Sequence, residues 1–239
     1  MQDDSIPADD TSVAGGTAFP LVEFRQYTLH PGQRDTLIDM FERHFIEPQH
    51  ALGMKVIGTF RDADRPDRFV WLRGFADMES RLAGLTAFYG GPIWQEHRNA
   101  ANATMIDSDN VLLLRAPTPS AAFSPEDGPH RAGMVLAAVH YCRSDPEALA
   151  LFEANVRPLL DQAGVQVLAW FVPEREANNF PRLPVRDEQT LVWFARFSDG
   201  DQLQSLMPAI AAAVAPLDPL LSAPSEFIRL EPTRRSSLR

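Results

Sequence analysis

The chain has a single cysteine and no cluster of basic residues, and each shortage excludes a class of protein. With only Cys142, an internal disulfide framework and a cysteine-rich metal site are ruled out. Cys142 ends a predicted strand, so we interpret it as a structural thiol in a reducing compartment. Acidic residues outnumber basic ones 32 to 22, giving a formal net charge of -10. Such a chain lacks the basic surface that binds nucleic-acid phosphates, and an anionic membrane would repel it.

Targeting and membrane-spanning segments are also missing from the sequence. Residues 1–19 are acidic and contain Gly, Ser and Pro, without the basic and apolar regions of a signal peptide. We predict that they form a disordered tail. No uninterrupted stretch of about 18 apolar residues predicts a transmembrane helix. These features together predict a cytoplasmic protein with no nucleic-acid or membrane partner.

What the sequence does contain is a helix-and-strand pattern that occurs twice. The first half follows the order βαββαβ, which is that of a ferredoxin-like module. Its predicted strands cover 22–29, 54–61, 68–75 and 111–115, and its helices cover 33–52, 78–88 and, as an extra element, 93–102. The second half repeats the order with strands 134–142, 165–172, 189–197 and 226–230, and with helices 145–163 and 201–214. The duplication accounts for most of the chain.

The repeat predicts the domain organisation and the fold class. WLRGF at 71–75 and WFARF at 193–197 occupy the same strand of each half. The predicted units are a module at 20–116, a Pro- and Ser-rich linker at 117–133, a second and divergent module at 134–232, and a short basic tail at 233–239. Helices cover only one face of such a sheet, so the other face must also be buried. We therefore predict an α+β fold in which two tandem ferredoxin-like modules close a dimeric-type α+β barrel.

Side-chain alternation along two strands of the first module predicts a cavity lining. One row on the first strand consists of Glu23, Arg25, Tyr27 and Leu29, and one row on the third consists of Phe69, Trp71, Arg73 and Phe75. We expect these rows to face the barrel interior, with Val70 and Leu72 packed under the helices. The matching strand 134–142 carries few polar residues, so we expect the site to lie toward the first module.

An aromatic row that includes arginines suits a flat or apolar substrate bearing a carboxylate, enolate or phenolate. Arg25 and Arg73 would hold the anion, and Tyr27 would transfer a proton. Trp71 and Phe69 would contact the substrate. The alternative is that Arg25, Glu23 and Arg73 form an internal salt-bridge network, because buried arginines need an anionic or carbonyl partner.

The first long helix carries His44, which we take as a second candidate for proton transfer, the alternative being a surface histidine. His44, Glu47 and His50 follow an HxxExxH spacing that could hold a divalent metal. Pro48 interrupts that segment and such spacings arise easily, so we predict no metal site.

The extra helix follows Tyr89-Gly-Gly-Pro and carries His97. We predict that Tyr89 and His97 contact the substrate from a lid over the cavity. The alternative is a surface helix anchored by Trp94. Nucleotide-binding and common hydrolase motifs do not occur in the sequence.

Three stretches of the first half resemble the NIPSNAP family. They are VEFRQYTLHPGQRDTLIDMFERHF, RFVWLRGFADMESR, and AFYGGPIWQEHRNAANATM followed by DSDNVLLLR, all within residues 21–115. The second half resembles the same fold more loosely and has no counterpart of FYGGPIWQEHR. The resemblance implies the dimeric α+β barrel superfamily, whose members include cofactor-independent monooxygenases, heme-degrading enzymes and muconolactone-type isomerases. It does not imply one activity, because a fold hosts many functions.

The sequence thus favours a small-molecule enzyme that oxygenates or isomerises an aromatic or apolar oxo compound through an anionic intermediate, without a cofactor. A non-catalytic ligand-binding or scaffold protein is the first alternative. A heme protein using His44, His97 or His140 is the second. The sequence leaves open whether the chain forms a homo-oligomer.

Overall fold

A computed structural model describes residues 19–124 and 133–239, and its strands form one closed barrel. The strands are β1 (Leu21–Leu29), β2 (Lys55–Asp62), β3 (Arg68–Phe75), β4 (Met105–Asp107), β5 (Val111–Arg115), β6 (Met134–Tyr141), β7 (Gln166–Pro173), β8 (Thr190–Phe197) and β9 (Glu226–Pro232). The helices are α1 (Arg34–His44), α2 (Ile46–Ala51), α3 (Met78–Gly90), α4 (Pro92–Asn102), α5 (Asp145–Leu151), α6 (Arg157–Gln162) and α7 (Gly200–Val214). A π-helical turn at Phe152–Val156 joins α5 to α6.

The strand order confirms two ferredoxin-like modules. The first module pairs its strands in the order β5-β1-β3-β2, and the second repeats this as β9-β6-β8-β7. The modules join where β2 pairs with β9 and where β5 pairs with β7, both antiparallel. Each module thus supplies the edge partners that the other lacks, which removes the exposed edges of both sheets. Strand β4, which the sequence pattern did not predict, lengthens the sheet beside the end of β1.

Local signals explain most element boundaries. The side chain of Asp77 accepts a hydrogen bond from the backbone N–H of Ser80, and the Ser80 hydroxyl oxygen accepts one from the backbone N–H of Asp77. This pair confirms the predicted start of α3. Gly164 ends α6 with φ of +79°, a left-handed conformation that glycine adopts at little cost. The predicted helix 33–52 is instead divided at Phe45 into α1 and α2.

The faces of the first sheet are the reverse of our expectation. Phe24 of β1 contacts Phe194 of β8 across the barrel interior, with ring centroids 5.4 Å apart. Val70 and Leu72 belong to the same interior cluster. Trp71 lies instead under α1, 4.7 Å from the ring of Phe41. The row that includes Arg25 and Arg73 therefore lies between the sheet and the helices, while apolar side chains pack inside the barrel.

The predicted linker and tail also differ from expectation. Residues 125–132 of the linker and 1–18 of the N-terminal tail lie outside the described residues. The linker's first part packs into the barrel core through Ala121, Ala122 and Phe123. The C-terminal tail continues along β2, where the backbone N–H of Leu238 donates to the carbonyl of Ile57 at 2.9 Å. Thr233, Ser236 and Leu238 are buried, so the predicted tail at 233–239 is part of the folded unit.

One helical stretch, Gly200–Leu220, is long and apolar enough to cross a membrane by length and composition, with 28% of its most apolar window buried. It consists of α7 and a following 3₁₀ segment, Ala215–Leu220. Leu203, Ile210 and Val214 are buried on the sheet side. These contacts are those of a helix that covers the barrel, and cytoplasmic placement stays a prediction.

Candidate functional site

A buried carboxylate surrounded by three buried arginines organises the first module. Glu23 of β1 accepts from Arg25 at 2.8 Å and from Arg73 at 2.6 and 3.1 Å. Arg81 of α3 approaches the other carboxylate oxygen at 2.7 and 2.8 Å. Each of these side chains is at most 1% exposed. The salt-bridge network that we considered as an alternative is therefore present, and it includes a third arginine.

The arginines keep the Glu23 carboxylate ionised. Burial raises its pKa, but the attraction of Arg73, Arg25 and Arg81 outweighs this effect and holds the pKa well below the usual range. Neutral side chains supply the other acceptors, since Arg73 donates to Gln49 at 3.0 Å. The three arginines and one glutamate leave a formal charge of +2 buried in the cluster.

Arg25 connects this cluster to a tyrosine. Its Nε donates to the hydroxyl oxygen of Tyr27 at 2.9 Å. Burial raises the pKa of Tyr27, so its hydroxyl keeps its proton at neutral pH. Since a lone pair of that oxygen already accepts from Arg25, the proton is available for donation. Arg25 and Tyr27 thus form a paired cation and hydrogen-bond donor.

A cavity of about 270 Å³ lies against this pair. Its lining comes from β1, α3, α4, the chain around β4, and the loop between β7 and β8. The lining residues are Arg25, Tyr27, Tyr89, Trp94, Arg98, Asn102, Met105, Ser108, Phe180, Arg182 and Leu183. They include three arginines and three aromatic side chains that can form hydrogen bonds, namely Tyr27, Tyr89 and Trp94. No Asp, Glu or His is among these described lining residues. The cavity therefore offers an aromatic slot with a strongly cationic wall.

The second module closes this cavity with its long β7–β8 loop. Phe180 of that loop stacks on Tyr89 of α3, with ring centroids 5.9 Å apart. Asn178 and Asn179 accept from Arg81 at 3.1 and 2.7 Å. The same arginine that binds Glu23 therefore also anchors the loop. We did not predict this contribution, because no pattern in a loop sequence indicates which distant helix it will contact.

The structure brings together some predicted site residues and separates others. Arg25, Tyr27 and Tyr89 line the cavity. Arg73, Trp71 and Phe69 lie in the buried layer behind it, where Arg73 binds Glu23 and both aromatic rings contact Phe41. These three support the wall and are not among the lining residues. The unpredicted lining residues most relevant to binding are Phe180 and Arg182, while Arg98 and Trp94 come from the helix that we expected to act as a lid.

Among the described residues, the histidines lie outside the cavity lining. His44 of α1 stacks on His97 of α4 with ring centroids 3.9 Å apart, and both are partly exposed. This packing places His44 away from the proton-transfer position that we expected, and His97 away from the expected substrate contact. His50 accepts from the backbone N–H of Val56, and Glu47 pairs with Arg235, so the HxxExxH residues have separate partners. Within residues 19–124 and 133–239, no group of three or more His, Cys, Asp or Glu side chains could hold a metal.

His140 has both ring nitrogens engaged. Its Nε2 accepts from the indole N–H of Trp193 at 2.9 Å, so Nδ1 carries the proton and donates to Ser225 at 2.7 Å. Burial lowers the pKa of His140 to about 4. A neutral, buried imidazole with two partners is a structural residue and has no free nitrogen for a heme iron. Cys142 is also structural, since burial raises the pKa of its thiol to about 11.

The second module lacks the charged network at the matching positions. Arg25 pairs with Trp71 across β1 and β3, and Ala138 pairs with Trp193 across β6 and β8. By the same register Leu136 and Ala195 correspond to Glu23 and Arg73. The two modules therefore differ in the number of charged side chains on this face of the sheet. The charged network belongs to the first module.

The family model that matches the chain is NIPSNAP, over residues 22–125. The first module therefore matches the NIPSNAP family model. This confirms the resemblance seen in the sequence and covers every lining residue that the first module contributes. No curated protein matches the chain. The β7–β8 loop that closes the cavity lies outside the matched NIPSNAP residues.

Several solved structures resemble the whole barrel. A proposed monooxygenase from Fusobacterium nucleatum subsp. nucleatum has a TM-score of 0.60 at 10% identity, with 90% of this chain and 93% of that chain covered. An anthrone oxidase-like protein gives 0.60 at 10% identity, with 90% and 91% covered. A proposed monooxygenase from Lactobacillus acidophilus gives 0.56 at 11% identity, with 90% and 94% covered. These similarities show a monooxygenase-like α+β barrel fold. The first and second modules of the chain form this barrel together.

Proposed function

We propose that the NIPSNAP-domain cavity binds a small, flat oxo compound as its enolate, phenolate or carboxylate, and oxygenates or isomerises it through that anion. The observation that carries this proposal is the contact of Arg25 with Tyr27 at the cavity wall. A buried guanidinium and a protonated hydroxyl are the groups that stabilise a developing oxyanion, and they act strongly where water is excluded. Tyr89, Trp94 and Phe180 supply flat surfaces for an aromatic ring.

The composition of the lining restricts the substrate. No carboxylate or imidazole is among the described lining residues, and Tyr27 keeps its proton, so we assign no general base to this cavity. The substrate must then be acidic enough to enter as an anion. Its negative charge is stabilised by Arg25, while Tyr27 donates a hydrogen bond to the same oxygen. An acidic 1,3-diketone or a hydroxyquinone meets this requirement.

Two outcomes are open to such an anion. Protonation at a different carbon completes an isomerisation and needs no other reactant. In oxygenation, molecular oxygen is the oxidant: a CH₂ group between two carbonyls loses both hydrogens, gains one oxygen atom as a new carbonyl, and the second oxygen atom leaves as water. The residues of the cavity bind and orient the anion in both cases.

The direct test uses 1,3-indandione, a small flat diketone that forms an enolate readily, and 2,2-dimethyl-1,3-indandione, which cannot. Calorimetry should detect binding of the first and at least tenfold weaker binding of the second, and an oxygen electrode should report any oxygenation. Arg25→Met and Tyr27→Phe should weaken enolate binding by about tenfold or more, because a hydrogen bond to a charged group contributes about 1.5–3 kcal/mol. Arg43→Met is the control, since Arg43 is an exposed residue outside the lining.

Equal binding of the two diketones, or unchanged enolate binding by both cavity variants, would contradict the proposal. The absence of a base among the described lining residues favours a second candidate, a protein that binds the anion without transforming it. Enolate binding through Arg25 without oxygen uptake and without formation of an isomer identifies that case.

A further inference from the structure

We infer that the natural ligand of this cavity carries two negative charges, one bound by Arg25 and a second bound at the opening by Arg98 and Arg182. This inference rests on the proposed function and extends it to the class of ligand. The ligand would be an aromatic or unsaturated compound with an anionic group at each end, such as a dicarboxylate or a carboxylated enolate.

The first argument is the charge that the buried cluster leaves uncompensated. Arg25, Arg73 and Arg81 share the single carboxylate of Glu23, and among the described residues no second acidic group pairs with them. Their remaining acceptors are neutral, such as the amide oxygens of Gln49 and Asn179. Burying excess charge costs several kcal/mol per ion unless an opposite charge compensates it. An anion in the adjoining cavity would supply that compensation.

The second argument is the arrangement of charge along the cavity. Arg25 is 1% exposed and forms the inner wall, whereas Arg98 and Arg182 line the same cavity and are exposed. Within the described parts of the chain neither Arg98 nor Arg182 forms an ion pair with an acidic side chain. Arg182 lies instead near the ring of Phe180, with 5.9 Å between its guanidinium carbon and the ring centroid. The opening thus presents two uncommitted cations beside an aromatic surface.

The third argument is the contrast between the charge of the cavity lining and the net charge of the whole chain. With a formal net charge of -10, the protein repels anions over most of its surface. Three arginines without a carboxylate in one small lining create a local exception. A single anionic group would use the inner arginine alone, and the cations at the opening would then have no role in binding.

The experiment compares probes that differ only in charge. Isophthalate, terephthalate and 2,6-naphthalenedicarboxylate are each titrated calorimetrically against their monomethyl esters, which keep the shape but carry one negative charge. We expect at least one dicarboxylate to bind about tenfold tighter than its monoester, corresponding to about 1.4 kcal/mol. Its affinity should also fall more steeply with added salt, because more ionic contacts are screened.

Variants at the opening test the assignment of the second charge. Arg98→Ala combined with Arg182→Ala should reduce the preference for the dicarboxylate to within about twofold, because the dicarboxylate should lose much more affinity than the monoester. Arg43→Ala, at an exposed arginine outside the lining, should retain the full preference. Thermal unfolding of the double variant should match that of the parent, because both side chains are exposed.

The outcomes separate this inference from the proposed function. If the monoesters bind through Arg25 and the dicarboxylates gain nothing, the proposed function stands and the dianion inference is wrong. A preference that survives in the double variant also overturns it. If neither class binds and 1,3-indandione does not bind either, both proposals fail.

Discussion

Glu23 and Arg81 lie 58 positions apart in the chain, yet the Nε of Arg81 is 2.8 Å from the carboxylate of Glu23, and both side chains are fully buried. Arg81 comes from α3 and Glu23 from β1, so their contact fixes this helix to the sheet. Because Arg81 also donates to Asn179 of the second module, one side chain links the charged cluster to the loop that closes the cavity.

The first prediction concerns this cluster. Glu23→Gln should lower the free energy of unfolding by about 3–5 kcal/mol, because it removes the carboxylate that pairs with three buried arginines. Urea denaturation followed by circular dichroism measures the change. The matched control is Glu96→Gln, at an exposed glutamate, for which a change under about 0.5 kcal/mol is expected. A loss for Glu23→Gln as small as that of the control would show that the network does not stabilise the fold.

The second prediction concerns the loop from the second module. Phe180→Ala removes the ring that stacks on Tyr89, so it should weaken binding of 1,3-indandione by about tenfold, while altering stability as other large-to-small changes do. Isothermal calorimetry at a temperature where the variant is folded gives the affinity. Phe227→Ala changes a partly buried phenylalanine of β9 outside the lining and should leave the affinity unchanged. Equal losses in both variants would point to general destabilisation rather than a ligand contact.

The third prediction is that the free energy of unfolding falls on acidification because His140 is buried in its neutral form. The pKa of His140 is about 4 in the folded protein against an ordinary value of 6.5, so below pH 6.5 the unfolded chain binds a proton that the folded chain does not. This contribution is present above pH 6.5 and is lost as the pH falls toward 4, with a total of about 3 kcal/mol at 1.36 kcal/mol per unit. Denaturant unfolding at several pH values measures the slope.

His140→Gln is the comparison variant for that slope. Its amide can still accept from Trp193 and donate to Ser225, but it does not titrate. Between pH 6.5 and 4.5 the variant should lose less stability than the parent. The Glu23 network does not account for this difference, because its low carboxylate pKa affects stability only at more acidic pH. Parallel slopes in the two proteins would show that His140 is not the group responsible.

The fourth prediction concerns the C-terminal segment. Leu238 is 2% exposed and packs against the core, so Leu238→Ala should lower the free energy of unfolding by about 2–4 kcal/mol. Leu159→Ala is the control, at a leucine that is 40% exposed, and should change it by less than about 1 kcal/mol. Chemical denaturation of both variants is sufficient. Similar small effects would indicate that residues 233–239 do not contribute to the folded unit.

The sequence predicted the architecture closely, and the reason is visible in particular elements. β3 and β5 have the predicted bounds, because a short, largely apolar run between polar or turn residues defines a strand locally. Asp77 and Gly164 mark helix ends through backbone chemistry that needs no distant partner. The two halves have the same order of elements, so their sheets can pair edge to edge. The closed barrel that results buries both faces of each sheet.

The sequence by itself thus determined the two modules, their strand rows and the set of residues available for an anion site, including Arg25, Tyr27 and Tyr89. Only the tertiary structure decided which row faces the helices. Both faces of these strands are buried, so the contrast between apolar and polar sides that normally orients a strand is weak. The tertiary structure also decided that Arg81 completes the charge network and that Phe180 closes the cavity. Those partners lie far apart in the chain, and they meet through barrel closure, which no local pattern encodes.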